Sequence, residues 1–237
     1  KVEAISTNSD VFTIDLTTPA ATAKQVTTNA CADGGPQYSP DGRYLSYRQQ
    51  QRAGFEADRW MLTLLDRKTG ERRIVAPDFD RPIDAWTFTP DSTAVYLTAE
   101  DGGQVRVYRA ELAGGAPKFV LKDGSNGDVQ VSADGRTIVF SRASLTAPAE
   151  IYKANADGTM VTPITRVNTA LLETFALRPG ESVTYDGAGG TKIQAWIIKP
   201  NNFRDGQKYP LLYLVHGGPQ GAWNDAWTYR WNAQVFA

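Results

Sequence analysis

The residues best suited to chemistry lie near the C-terminal end of the chain. Leu211-Leu-Tyr-Leu-Val215 runs directly into His216-Gly217-Gly218-Pro219. Five apolar residues in a row read as a buried strand. Paired glycines straight after a strand let the backbone turn sharply and bring its N–H groups close to a ligand. Preorganised donors of that kind suit the negative oxygen that develops when an acyl carbonyl is attacked. His216 is the only histidine in the sequence. No second histidine or cysteine stands at ligand spacing from it, which argues against a metal role and leaves a packed or hydrogen-bonded strand-end residue. Asp78, Asp80 and Asp84 are close in sequence, but a solvated loop is the better reading than a calcium site. No metal and no cofactor are expected.

The elements that would position this loop begin far upstream, with a repeat. Tyr38-Ser-Pro-Asp-Gly-Arg-Tyr-Leu-Ser-Tyr47, Phe88-Thr-Pro-Asp-Ser-Thr-Ala-Val-Tyr-Leu97 and Val131-Ser-Ala-Asp-Gly-Arg-Thr-Ile-Val-Phe140 resemble one another. Their aspartates, Asp41, Asp91 and Asp134, fall 50 and 43 residues apart (91 − 41 and 134 − 91). Each copy is followed by a second strand-like run, at 60–65, 105–108 and 150–153, and Val11-Phe-Thr-Ile-Asp15 is a fourth copy of that second half. Asp-Gly supplies the positive φ of tight turns, and the alternating β-branched and aromatic residues after it fill half-buried strands. Several short strands in a period of 40–50 residues predict β-propeller blades. About three and a half blades are present, fewer than the four to eight that close a ring. An open arc would leave strand edges bare at Lys1, so the expectation is a partial propeller from an internal fragment truncated at both ends.

The pattern stops near Arg166, and Leu177-Arg-Pro-Gly180 reads as a linker. A hairpin follows, from Glu181-Ser-Val-Thr-Tyr185 through Asp186-Gly187 to Ile193-Gln-Ala-Trp-Ile-Ile198. Trp223, Trp227, Trp231 and Val235 recur every four residues, which predicts one packed face of a helix or of a loop leading into one. The fold expected is therefore mainly β, with propeller blades over 1–174 and the first strands of an α/β-hydrolase domain over 175–237.

Residues 181–237 resemble the start of the catalytic domain of the prolyl oligopeptidase family of serine peptidases, in its acylaminoacyl peptidase and dipeptidyl peptidase branches. The likeness rests on Val183-Thr-Tyr185, Gln194-Ala-Trp-Ile-Ile-Lys-Pro200, Lys208-Tyr-Pro-Leu-Leu212 and Val215-His-Gly-Gly-Pro-Gln-Gly221. The upstream Ser-Pro-Asp-Gly repeats resemble that family's propeller. The resemblance implies a Ser-His-Asp mechanism acting on short peptides, with a propeller that gates access. It implies that Gly218 offers an oxyanion-hole N–H, that Gly217 allows the turn and that His216 supports the loop. The nucleophile of such a domain sits in a Gly-x-Ser-x-Gly elbow. No such pentapeptide occurs in this sequence. No triad member is therefore expected here, and the chain alone should be inactive. The alternative is a peptide- or protein-binding propeller with a non-catalytic hydrolase remnant. Glu56 and Asp58, in a loop inside the first full repeat, could reach toward a site but are better read as surface.

Composition adds exclusions. The net charge is −1, from 25 basic and 26 acidic side chains, and no basic run suggests nucleic acid. Arg72-Arg73 beside Glu71 reads as a strand end. No stretch approaches the roughly 18 apolar residues of a membrane span. The single cysteine, Cys31, excludes an internal disulfide and reads as an inert thiol. That suits a cytoplasmic setting and equally a periplasmic or secreted one, and leaves a homo-oligomer open.

Overall fold

A computed structural model describes residues 6–218 and 221–237. Residues 1–5 lie outside it, and with them the edge at Lys1; so do Pro219 and Gln220 of the glycine loop.

The protein is mainly β. Strands β1 (Phe12–Thr13) and β2 (Lys24–Gln25) form an antiparallel pair. Strands β3 (Asp33–Tyr38), β4 (Tyr44–Gln49), β5 (Met61–Asp66) and β6 (Arg72–Ile74) then pair in chain order as a four-stranded antiparallel meander. A second meander follows, with β7 (Ala85–Phe88), β8 (Ala94–Asp101), β9 (Gln104–Glu111) and β10 (Lys118–Leu121) neighbours in turn. The third is β11 (Ser125–Val131), β12 (Thr137–Ser144), β13 (Ala147–Asn155) and β14 (Thr162–Pro163). A single parallel pair, Ser125 with Val105, joins β11 to β9. A one-turn helix, α1 (Thr169–Leu172), leads to the hairpin of β15 (Glu181–Asp186) and β16 (Lys192–Ile197).

The chain divides into two compact units, residues 1–97 with 109–118, and residues 98–108 with 119–237. Strands β8 and β9 are each divided between them. In the first unit both faces of β4 and β5 are covered, with Leu62 and Leu64 on the face of Ser46, and Tyr47 on the other. Tyr47, Leu62 and Leu64 are at most 1% exposed. Trp86 lies on the Ser46 face, where its indole N–H donates to Ser46 Oγ at 2.8 Å, so a large apolar ring is buried without stranding its one polar atom. Val11, Leu45 and Tyr47 form a further cluster with Val26 and Leu65. In the second unit Ile138 and Phe140 of β12 and Ala154 of β13 are buried, and Phe140 stacks on Tyr152 at 5.9 Å between centroids.

The three repeated turns have one construction. Ser39 Oγ donates to Asp41 Oδ1 and accepts from the Tyr44 N–H, while Asp41 Oδ1 also accepts from the Arg43 N–H. Thr89, Asp91, Thr93 and Ala94 repeat these bonds, as do Ser132, Asp134, Arg136 and Thr137. The residue after each aspartate is left-handed: Gly42 at φ 69°, Ser92 at 58° and Gly135 at 71°. Serine tolerates that conformation less readily than glycine, but the Ser92 hydroxyl accepts from the Asp41 N–H at 3.1 Å. The second turn therefore uses its serine to brace the first. Each aspartate is held below the usual carboxylate range, first by the hydroxyl two residues before it.

Candidate functional site

The apolar run before the glycines does not fold as expected. Residues 211–216 carry no strand ladder. Leu211 is 91% exposed, and Leu212, Tyr213 and Val215 are exposed with it. A strand is made by its neighbours, since its N–H and C=O groups need a ladder and its side chains a covering layer. Among the described residues nothing supplies either. The hairpin expected just upstream does form, with Val183 opposite Ala195 and Asp186 opposite Lys192.

His216, Gly217 and Gly218 are all exposed. His216 Nδ1 lies 3.0 Å from the Gly217 carbonyl, a contact that needs the proton on Nδ1. Gly218 has φ 142°, a region that essentially only glycine enters. A Cβ built on Gly217 would meet nothing within 4 Å, so glycine's freedom is used at Gly218. The Tyr213 hydroxyl is 3.5 Å from that of Tyr185, whose ionisation is pushed up by this contact and then by burial.

The tryptophan-rich segment is not helical. Apart from one 3₁₀ turn at Ala233–Val235, residues 221–237 are irregular. The backbone groups a helix would use are engaged elsewhere. The Trp223 carbonyl accepts from the Trp196 indole at 2.8 Å, and the Asp225 N–H donates to the Gly103 carbonyl at 2.6 Å. Asn224 Nδ2 donates to Glu100 Oε1 at 2.6 Å, and Asp225 Oδ1 accepts from the Leu145 N–H at 2.8 Å. Nothing in the sequence points to these partners, of which Leu145 and Glu100 lie 80 and 124 residues away.

Other candidates have local duties. Asp58 Oδ2 accepts the N–H groups of Gln51 and Arg52, and the Gln50 amide donates to the carbonyls of Glu56 and Asp58. The loop around Glu56 is thus closed on itself. Asp80 is exposed with Arg81 at 3.6 Å. Among the described residues no three His, Cys, Asp or Glu side chains converge as metal ligands, and no helix is long and apolar enough to cross a membrane. Cys31 is buried, and burial is the first cause that pushes its thiol up, ahead of Asp58 and Asp33.

No family model matches this sequence. Curated relatives do. It is 33% identical over 212 residues to dipeptidyl-peptidase 5 of Arthroderma benhamiae, covering 87% of this chain and 29% of that protein. It is 26% identical over 235 residues to dipeptidyl-peptidase 5 of Porphyromonas gingivalis, covering 99% and 34%. Among solved structures, Pyrococcus horikoshii acylaminoacyl peptidase superposes with a TM-score of 0.71 at 19% identity, over 89% of this chain and 31% of that one. The chain belongs to the prolyl oligopeptidase family of peptidases. It spans about three-tenths of the length of these family members, and its likeness to the Pyrococcus protein is one of fold. The dipeptidyl-peptidase match in Porphyromonas runs through both the meanders and the glycine loop, so family likeness is not confined to the repeats.

Proposed function

We propose that this chain is part of a serine peptidase that hydrolyses short peptides, with the three meanders as propeller blades over 1–174 and residues 175–237 opening an α/β-hydrolase domain. The observation that carries this reading is an order. Three meanders with matching aspartate turns are followed by a hairpin and then by a glycine loop, and the dipeptidyl-peptidase 5 of Porphyromonas gingivalis aligns over 99% of the chain. In this reading the attacking serine, the histidine that moves its proton and the orienting aspartate belong to polypeptide outside this sequence.

The role of these residues is electrostatic. Gly218, at φ 142° and open to solvent, would donate its backbone N–H to the oxyanion. Such a donor acts on charge that appears only as the carbonyl is attacked, so it favours the transition state over bound substrate. Gly217 offers its carbonyl, which His216 holds through Nδ1. The blades restrict access to short peptides.

A fluorophosphonate probe tests this. The polypeptide encoded by the whole reading frame should be labelled on one serine, and the 237-residue chain should not. Stoichiometric labelling of the 237-residue chain, or none of the longer polypeptide when folded, would overturn the reading.

A further inference from the structure

The glycine loop has little of its own to hold it in place. Before it lies an exposed run without a ladder, and within it, among the described residues, only the His216–Gly217 contact. Firm anchors come a few residues later, at Trp223, Asn224 and Asp225. We propose that Asn224 and Asp225 form a clasp that positions the His216–Gly218 loop against the tips of two hairpins, β8–β9 and β12–β13. The catalytic importance of that loop rests on the reading above; the clasp itself does not.

Asp225 is engaged at both ends. Its backbone N–H meets the Gly103 carbonyl at the β8–β9 tip, and its carboxylate receives the Leu145 N–H at the β12–β13 tip. A hydrogen bond from a backbone N–H to a charged carboxylate is among the stronger kinds. Leu145 is held from its other side too, since its carbonyl accepts from Gln234 Nε2 at 3.3 Å, and the same amide donates to the Arg178 carbonyl at 2.6 Å. Both polar groups of one turn residue are thus taken by the segment that follows the loop. Glu100 adds the second point through Asn224.

The β8–β9 tip fits this use. A Cβ on Gly103 would fall 2.9 Å from Gln194 Nε2 and 3.0 Å from Trp196 Cζ2, so it would push the Gln194 amide aside and crowd the indole, and φ 75° itself favours glycine. Trp196 in turn donates to the Trp223 carbonyl, next to the clasp. Two hairpin tips and β16 therefore converge on Trp223–Asp225. No other feature in the described segment 221–237 ties it to the β8–β9 tip.

The lone histidine makes the clasp measurable without any activity. The chain has one histidine, so the imidazole ring signals in an NMR spectrum belong to His216. In Asp225→Ala the His216 ring signals should shift or broaden at least twofold, and the Leu145 amide should exchange at least tenfold faster. Asp225→Asn, which retains an acceptor oxygen, should restore the His216 signals to near those of the parent. Glu100→Ala should disturb them less than Asp225→Ala, and Glu100→Gln scarcely at all. Circular dichroism must show the same strand content in every variant compared; if Asp225→Ala does not fold, the Glu100 pair decides. Unchanged His216 signals in Asp225→Ala despite a deprotected Leu145 amide would overturn the clasp, as would unchanged signals in Glu100→Ala if that pair decides. Neither outcome depends on labelling by a fluorophosphonate, so the clasp and the peptidase reading can fail separately.

Discussion

The aspartate turns and the glycine loop are both short and both use positive-φ backbone, yet they are stabilised in opposite ways. At Ser39–Tyr44, Thr89–Ala94 and Ser132–Thr137, a hydroxyl and a carboxylate two residues apart bind each other and the backbone that follows. Every partner lies within five residues. His216–Gly218 show no such set among the described residues, and the long-range bonds that follow hold Asn224 and Asp225, to Glu100, Gly103 and Leu145. A turn that carries its own partners forms wherever its sequence occurs. A loop that borrows them takes its position from the rest of the molecule, and its residues can be chosen for chemistry.

The difference can be broken by substitution. Thr89 is 7% exposed and its hydroxyl accepts from the buried Ala94 N–H. Thr89→Val keeps the volume and strands that donor, so denaturant unfolding should show a loss of about 1–3 kcal/mol. The equivalent Ser132→Ala lies in a more solvated turn and should lose about 0.5–1.5 kcal/mol. Gly217→Ala, where a Cβ meets nothing, should stay within about 0.5 kcal/mol of the parent. A Gly217→Ala variant less stable than Thr89→Val would invert the comparison.

A smaller effect sharpens it by pH. Asp41, Asp91 and Asp134 are held below the ordinary value of 3.8. A depressed carboxyl contributes stability above its unfolded pKa and loses it as pH falls through the folded value. Replacing all three with Asn keeps the acceptor oxygens and removes the charge. The fall in Tm on acidification below about pH 4 should then be shallower than in the parent. It should not vanish, because Asp15, held at about 2 by Thr17 and Thr18, and Asp66, Glu150 and Asp157 are also depressed. These groups are exposed, so the change is small. Parallel acid profiles would mean the turn carboxylates act only as neutral acceptors.

What the sequence showed follows the same division. Asp41, Asp91 and Asp134 were legible as equivalent turns because Ser/Thr-x-Asp encodes the bonds locally. The hairpin at 181–197 was legible from alternation and its Asp-Gly turn. Leu211–Val215 misled because an apolar run states what a segment would bury, not whether a neighbour is there. Trp223, Trp227 and Trp231 have helical spacing, but the Trp223 carbonyl and the Asp225 N–H are bonded to Trp196 and Gly103. Asn224 and Asp225 carried no signal, since an Asn-Asp pair reads as an ordinary turn until Glu100 and Leu145 are brought to it.

The central claim is that the Gly218 N–H holds the oxyanion, and its most direct measurement is the kcat of Gly218→Pro in the polypeptide of the whole reading frame. Proline removes the donor and cannot adopt φ 142°, so the melting transition must be recorded on the same preparation. With an intact transition, kcat should fall about 10²–10³-fold, with the serine still present. A fall of less than about tenfold in a folded variant would contradict the claim and place the oxyanion donor elsewhere.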